Sequence, residues 1–175
     1  KERIYTIDLV ITTHDDFDHS GALDSLKENF NVKNYINSYK NFPLSVGGIE
    51  FKNYNYHIDE SKEENDKSLV IGFSLSEVNY LIMGDAPISI ERKIMNENKS
   101  VPCDILKVGH HGSNTSSSNE FIRYLNPKEA IISVGKNNSF GHPHKEVITY
   151  LNLNKAKIKR TDKLGTITYS NYIFM

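Results

Sequence analysis

Short apolar runs that do not alternate with polar residues constrain the fold of this chain more than any other feature of its sequence. Two of them, Leu69–Leu75 and Ala130–Val134, are nearly continuous in apolar residues. Strands covered on one face alternate apolar with polar residues, whereas continuous runs of this length are typical of strands covered on both faces. We therefore expect a sheet with other structure packed on both of its sides.

Nine segments have the β-branched and apolar character of strands. They are Asp8–Thr12, Val32–Asn37, Ile49–Tyr54, Ser68–Leu75, Tyr80–Met83, Ile105–Val108, Ala130–Val134, Lys157–Arg160 and Thr166–Tyr169. Helical spacing of apolar residues predicts four helices, at Ala22–Asn29, Ile88–Asn98, Asn119–Leu125 and Lys145–Leu151. A capping-box pattern, Ser117 to Glu120, precedes the third helix. This alternation predicts an α/β (α+β) sandwich with helices layered over sheet.

Length and composition exclude several classes of protein. The 175 residues suit a single domain, 1–175. The net charge of −1 indicates no strongly basic surface for nucleic acid or anionic membrane. The one cysteine, Cys103, excludes an internal disulfide and a cysteine-rich zinc cluster. No apolar run reaches the roughly 20 residues that a membrane helix needs, and the chain begins as if within a domain, without a signal peptide.

Histidines and carboxylates cluster directly after predicted strands, in loops of the kind that build functional sites. The densest cluster, His14, Asp16, Asp18 and His19, follows the first strand. If the chain stays extended there, residues 14, 16 and 18 project to one side. Mixed nitrogen and oxygen ligands of this density suit a divalent cation. The alternative is a polar loop in which Asp18 caps a helix, but these crowded groups would repel one another without a cation.

Three later clusters also follow strands. Asp85 ends an apolar strand, where an ordinary turn aspartate is the alternative interpretation. His110 and His111 follow the next strand, and the serine-rich segment after them leads to a helix whose N–H groups can receive an anion. His142 and His144 follow the strand after that, and each alone would be a surface histidine. Together the clusters predict one site at a single sheet edge.

The motifs, taken in chain order, resemble those of the metallo-β-lactamase superfamily. They are THDDFDHSG, NDKSL, IMGD, DILKVGHHGS, SVGKNNSFGHP and RTDKLGTI. More narrowly, they are similar to the C-terminal domain of ComEC-type DNA-internalisation competence proteins, from about Asp8 to Ile167. The resemblance implies an αββα sandwich, with two β-sheets flanked by helices and a two-metal site between them. It also implies that this chain lacks the N-terminal strands of the family.

The resemblance assigns roles to individual residues. His14 and Asp16 would bind one metal ion, Asp18 and His19 the other, and Asp85 would bridge both. The last histidine ligand would be His110, with His111 as a near-equal candidate. His142 would lie at the rim of the site or act on the substrate.

Two departures from the superfamily pattern bear on the metal. Position 16 is Asp where His is usual, and the third histidine is replaced by Asn65 or Asp66, with His57 as another candidate. One metal site is therefore poorer in nitrogen ligands, which favours Mn²⁺ or Mg²⁺ over Zn²⁺. The expected cofactors are two divalent metal ions, Mn²⁺ or Zn²⁺.

The residues predict a divalent-metal-dependent hydrolase of phosphodiesters, and the resemblance to ComEC-type domains implies single-stranded DNA as the substrate in DNA uptake. Asp18 would orient the attacking hydroxide, and His111 or His142 would protonate the leaving oxygen. Ser113 and Asn138 are the predicted substrate-binding residues. The alternatives are a phosphodiesterase for small phosphoesters and a non-catalytic metal-binding interaction domain. In a bacterial ComEC-type protein the domain would lie on the extracytoplasmic side of the membrane, next to a membrane-embedded remainder; otherwise it would be cytoplasmic or secreted.

Overall fold

The computed structural model describes residues 4–56 and 63–169. Its strands are β1 (Thr6–Ile7), β2 (Val10–Ile11), β3 (Asn31–Val32), β4 (Tyr35–Ile36), β5 (Leu44–Val46), β6 (Ile49–Asn53), β7 (Ile71–Leu75), β8 (Val78–Ile82), β9 (Ile105–Lys107), β10 (Glu129–Ile132) and β11 (Lys157–Arg160). Its α-helices are α1 (Phe17–Ser20), α2 (Leu23–Asn29), α3 (Ile88–Glu97), α4 (Asn119–Leu125), α5 (Lys145–Leu153) and α6 (Thr161–Leu164). None of the helices in these ranges is long and apolar enough to cross a bilayer.

A seven-stranded sheet forms the centre of the molecule, in the order β11-β10-β9-β8-β7-β6-β5. Strands β5 to β8 pair antiparallel, whereas β8, β9, β10 and β11 pair parallel. In a parallel sheet the carboxyl ends of the strands meet at one edge, where ligands of α/β proteins bind. The segments that follow β8, β9, β10 and β11 therefore converge on one edge of this sheet.

Helices α3, α4 and α5 bury their apolar faces against this sheet. Ile94, Phe121 and Leu151 are buried in one cluster with Leu81 and Leu106 of the sheet. Burying side chains of this size contributes about 1.5–3 kcal/mol each. The prediction of helices layered on a sheet is confirmed, and the parallel half of the sheet is held rigidly behind its carboxyl edge.

The N-terminal quarter differs from the prediction. Only Val10–Ile11 (β2) of the predicted strand Asp8–Thr12 is extended, and a further short strand, β1, lies just before it; β1 and β2 pair parallel with β3 and β4 rather than joining the large sheet. Asp8 lies between them, with its carboxylate 2.6 Å from Lys33 Nζ, so a charged pair interrupts each run. The predicted strand Val32–Asn37 is divided in the same way. Among the described residues, the two-stranded pairs β1–β3 and β2–β4 take the place of the second sheet that the resemblance to the metallo-β-lactamase superfamily implies.

Two further predictions about elements are wrong. The chain does not stay extended after Ile11, because Phe17–Ser20 forms helix α1 and Ser20 Oγ donates to the Asp15 carbonyl oxygen at 2.9 Å. Thr166–Tyr169 does not form a strand. The Tyr169 hydroxyl instead donates to Glu129 Oε2 at 2.6 Å, and its ring meets Tyr80 edge-on. The side chain thus lies over β8 and β10 and its segment does not extend the sheet edge.

Candidate metal centre

The carboxyl edge of the parallel strands gathers the clusters that the sequence singled out. Asp85 follows β8, and His110 and His111 follow β9. The loop with Asn138 and His142 follows β10, and the first motif approaches from β2. The predicted site residues His14, Asp16, Asp18, His19, Asp85 and His110 lie near one another here, together with His111.

The first motif aims two imidazoles into the site. Thr13 Oγ1 lies 3.0 Å from His14 Nδ1 and 3.3 Å from His19 Nδ1, and Ser68 Oγ lies 3.4 Å from His14 Nδ1. Hydroxyl partners on Nδ1 leave both Nε2 atoms for the site, as in histidines that bind metal. Burial and the neighbouring His19 ring lower the pKa of His14 below 6.5, so its imidazole is neutral at neutral pH and suited to coordination.

Three buried polar atoms in this region have no hydrogen-bond partner: His14 Nε2, His19 Nε2 and Asp85 Oδ1. They lie within 4.8 Å of one another. Buried polar groups are nearly always satisfied, and leaving one unpaired costs about 1–3 kcal/mol. Two imidazole nitrogens and a carboxylate oxygen that converge in this way are a donor set suited to divalent cations.

Asp85 presents its two oxygens to different partners. Oδ1 lies 3.1 Å from His19 Nε2, whereas Oδ2 lies 3.6 Å from His110 Nε2 and 3.9 Å from His111 Nε2. Its side chain is only 4% exposed. Burial alone would raise the pKa of this carboxyl, but the surrounding imidazoles outweigh burial and lower the pKa to about 2. A carboxylate with this placement has the form of a bridge between two cations.

His111 and Asp18 form a second group with His19. His111 Nε2 lies 3.1 Å from Asp18 Oδ2, and the three side chains offer ligand atoms within 4.8 Å of one another. The other nitrogen of His111, Nδ1, donates to the carbonyl oxygen of Ser133 at 2.7 Å, which orients the ring with Nε2 toward Asp18. Because one imidazole nitrogen binds one ion, His19 can serve only one of the two groups.

His110 approaches Asp85 from a different direction than His111. Its Nδ1 lies 3.0 Å from Thr115 Oγ1, and its ring is 5.6 Å from the His142 ring. Both His110 and His111 have positive φ, 45° and 53°, so the backbone turns sharply and directs adjacent side chains to different places. Gly112 completes this turn at φ +84°, where a Cβ would lie 2.5 Å from Pro143 Cβ.

A cavity of about 610 Å³ opens beside these residues. It is lined by Asp16, Asp18, Asp85, His110, His111, Ser133, Val134, Gly135, Asn138, Phe140, His142 and Thr161. Asp16 also lies near the first group, with Oδ2 3.5 Å from His14 Nε2. The cavity thus has carboxylates and imidazoles on one wall, and Val134 and Phe140 on the loop that follows β10.

Asn138 lines the cavity, but its side-chain amide is hydrogen-bonded to main-chain atoms. Its Nδ2 donates to the carbonyl oxygens of Gly135 and His142, and its Oδ1 accepts from the His142 N–H at 2.9 Å. Asn138 therefore shapes the loop that carries His142, a role different from the predicted substrate contact. Burial and the neighbouring His110 and His144 rings lower the pKa of His142, so its ring is mainly neutral at neutral pH.

The predicted anion site around Ser113 does not fit the structure. Ser113 is 4% exposed, lies outside the cavity and has its hydroxyl 3.0 Å from Thr115 Oγ1. The N–H groups before α4 are also occupied: Glu91 accepts hydrogen bonds from the N–H groups of Ser117 and Ser118. The chain thus supplies its own carboxylate where a phosphate was expected. Ser118 caps the helix by accepting from Phe121 N–H, so the predicted capping box begins one residue later and lacks its glutamate.

The structure distinguishes between the residues that could replace the missing third histidine ligand. Asp66 Oδ1 accepts from Ser89 Oγ at 3.0 Å, so this carboxylate is engaged away from the first group. Asn65 Oδ1 is buried without a hydrogen-bond partner, which makes it the better candidate. His57 lies outside the described residues.

Several groups that position the site were missed by sequence reasoning. The carbonyl oxygen of Ser133 and the hydroxyls of Thr13, Ser68 and Thr115 hold the ring nitrogens of the histidines. A carbonyl oxygen carries no residue-type signal. The hydroxyl residues stand beside the motifs, but the sequence does not show which of them reach a ring.

Comparison with known proteins places these observations in a family context. The family model described as "Metallo-beta-lactamase superfamily" matches residues 1–57, the segment that contains the first motif. A Thermotoga maritima protein assigned to this superfamily has a similar structure, with a TM-score of 0.51 and 16% identity over 90% of this chain and 83% of that one. The resemblance to the superfamily is confirmed, and the fold is the metallo-β-lactamase fold.

Two bacterial relatives cover nearly all of this chain. ComE operon protein 3 of Bacillus subtilis is 31% identical over 95% of the chain and 25% of its own length. Recombination protein 2 of Haemophilus influenzae is 30% identical over 92% of the chain and 22% of its own length. The chain thus spans about a quarter of the length of these curated relatives.

Proposed function

Because this chain has the metallo-β-lactamase fold and keeps His14, Asp18 and His19 of the first motif, we propose that it is a divalent-metal-dependent hydrolase domain that cleaves phosphodiesters in DNA. One observation carries the proposal. His14, His19 and Asp85 are mostly buried, their ligand atoms lie within 4.8 Å of one another, and Asp85 also lines the cavity. This is the arrangement that a hydrolytic metal centre requires.

The ligands divide between two ions. His14 and Asp16 would hold one ion, with Asn65 as the further candidate ligand. Asp18, His19 and His111 would hold the other, and Asp85, which lies beside His19, His110 and His111, would be shared between them. His111 replaces His110 in this assignment because its Nδ1 is bound to Ser133 while its Nε2 faces Asp18. Two divalent cations at such a site supply a hydroxide near neutral pH and offset charge on the phosphoryl oxygens.

The remaining residues act on the substrate. Asp18 accepts a hydrogen bond from the attacking water and orients it. His110 lines the cavity with Nε2 directed toward Asp85 and Nδ1 held by Thr115, so it is placed to donate a proton to the leaving oxygen. His142 contacts the substrate at the rim; its lowered pKa suits a neutral hydrogen-bonding role better than that of an acid.

Manganese is the proposed physiological metal, with zinc as the alternative. Asp16 and Asp18 supply hard oxygen ligands and are 46% and 62% exposed. Oxygen-rich, partly solvated ligand sets favour Mn²⁺ over Zn²⁺, which prefers nitrogen and sulfur.

The substrate and place of action are proposed from the relatives. Both relatives named above are bacterial, and the similarity to a ComE operon protein supports a role in DNA uptake. Single-stranded DNA on the extracytoplasmic side of the membrane is the proposed substrate. The net charge of −1 implies modest affinity for the phosphate backbone, so metal-bound phosphate must supply much of the binding.

A nuclease assay with added Mn²⁺ tests the proposal. Single-stranded DNA and a chromogenic bis-phosphodiester are incubated with wild type, Asp85→Ala and, as control, Asp24→Ala on the exposed face of α2. Cleavage of both substrates that disappears only in Asp85→Ala supports the proposal. Cleavage of the small ester alone moves the assignment to small phosphoesters, and metal binding without cleavage of either moves it to a non-catalytic domain.

A further inference from the structure

One wall of the cavity carries an aromatic ring that the proposed chemistry does not use. Phe140 lines the cavity, yet its side chain is 76% exposed to solvent. A single exposed apolar side chain is common on a protein surface, but this one lines the same cavity as Asp85 and His110. The ring is therefore available to a ligand that enters the site.

The loop holds Phe140 in a defined position. Asn138, two residues earlier, binds Gly135 and His142 on either side of Phe140 through three hydrogen bonds to the main chain. The Phe140 ring lies against the His142 ring, with centroids 5.8 Å apart and planes only 24° from parallel. A ring fixed in this way loses little conformational entropy on binding a ligand.

The Phe140 and His142 rings lie next to the proposed catalytic groups. The His142 ring is 5.6 Å from the His110 ring, and His110 Nε2 is 3.6 Å from Asp85 Oδ2. A substrate whose phosphodiester sits at the carboxylate wall would extend its adjacent group past His142 to Phe140. That group meets a flat, uncharged face rather than a hydrogen-bonding pocket.

From this geometry we propose that Phe140 and His142 form a stacking platform for the nucleobase next to the scissile phosphodiester. This inference rests on the proposed function and names the part of the substrate that the site recognises. Stacking on an aromatic face accepts every base, because every base has a π-face. The platform would thus favour base-bearing single strands without selecting a sequence.

The test compares two dinucleotides that differ only in their bases: a thymidine dinucleotide and the same backbone with stable tetrahydrofuran sugars that lack bases. The measured quantity is the ratio of kcat/KM for the base-bearing substrate to that for the abasic one. Stacking of one base corresponds to roughly 5- to 150-fold. We expect Phe140→Ala to lower the ratio by at least about 5-fold, Phe140→Trp to restore it, and Tyr5→Ala, an exposed aromatic outside the cavity, to keep the wild-type ratio.

An unchanged ratio in Phe140→Ala would overturn the inference, as would a full wild-type ratio in Phe140→Leu, which keeps apolar bulk without a ring. If wild type cleaves neither dinucleotide, the proposed function fails separately. Fluorescence anisotropy in Mn²⁺ then decides whether the base stacks, with labelled eight-nucleotide strands that either carry bases or lack them. Tighter binding of the base-bearing strand that is lost in Phe140→Ala supports the platform, and equal affinity for both strands refutes it.

Discussion

His111 is anchored to Ser133: its Nδ1 lies 2.7 Å from the Ser133 carbonyl oxygen, which follows β10 in the sheet. This contact joins the ends of two neighbouring parallel strands through one imidazole. It also orients the ring, so that Nε2 faces Asp18 as a potential ligand.

We expect His111→Ala and His110→Ala to fail in different ways. Loss of a ligand should lower the metal bound per chain in His111→Ala, whereas His110→Ala should keep its metal and lose about 10²–10⁴-fold in rate, as expected for a general acid. Elemental analysis and initial rates on a bis-phosphodiester measure the two effects. Metal loss confined to His110→Ala would return the ligand role to His110.

Asp85→Asn should lose both metal and hydrolysis. The substitution keeps the shape of the side chain but removes the negative charge that lies between the histidines, and no neighbouring group replaces it as a bridge. Metal per chain, measured by elemental analysis after dialysis, should fall together with the rate. Asp24→Asn on the exposed face of α2 is the control for a lost carboxylate, and it should match wild type in both measurements.

Manganese should restore activity to the chelated protein better than zinc. The reason is the oxygen-rich set that includes Asp16, where a histidine would favour zinc. Asp16→His is the matched variant, and it should shift the preference toward zinc. Full reactivation of wild type by zinc but not by manganese would contradict the assignment.

Glu91→Ala should destabilise the fold by about 2–4 kcal/mol, because it leaves the buried N–H groups of Ser117 and Ser118 without an acceptor. Glu97, exposed near the end of the same helix, provides the matched control, and Glu97→Ala should change stability little. Urea unfolding of both variants measures the difference. Equal stabilities would show that the Glu91 contacts contribute nothing net.

Asp104 should make stability depend on pH in the acid range. Hydrogen bonds from Lys128 and Asn79 lower the pKa of Asp104 from 3.8 to about 2. Because the unfolded chain then binds more protons between about pH 4 and pH 2, the free energy of unfolding falls as pH falls through that window. Asp104→Asn should be less stable than wild type at pH 5, with the gap closing toward pH 2.5, whereas Asp24→Asn should show no such trend. A gap that stays constant with pH would rule out this contribution.

The sequence predicted elements well where pattern and tertiary packing agree. Lys157–Arg160 and Asn119–Leu125 have the predicted bounds. The prediction failed where a polar contact overrides the pattern. Asp8 pairs with Lys33 and divides an apolar run, and Tyr169 reaches across to Glu129 instead of extending a sheet.

The site could be predicted only as a set of residue types. Dense His and Asp motifs after strands indicated the place of the site, because carboxyl ends of parallel strands share an edge. The roles of His110 and His111 depend on two consecutive residues with positive φ, which the residue types do not signal. The expected anion site failed because Glu91, some 26 residues before Ser117, fills it from another helix.

The two halves of the metal centre come from distant parts of the chain. Asp18 and His111, which face each other at 3.1 Å, are 93 residues apart in sequence. The first belongs to the segment of short parallel pairs, the second to the edge of the seven-stranded sheet. An ion bound between them would cross-link the two segments and close a long loop. Such a cross-link stabilises a fold by restricting the unfolded chain. Binding of the ion would then dock the N-terminal segment and complete the catalytic site together. Removal of the ion with a chelator should therefore raise the hydrogen-exchange rates of the amides in β1 to β4 before those in the seven-stranded sheet.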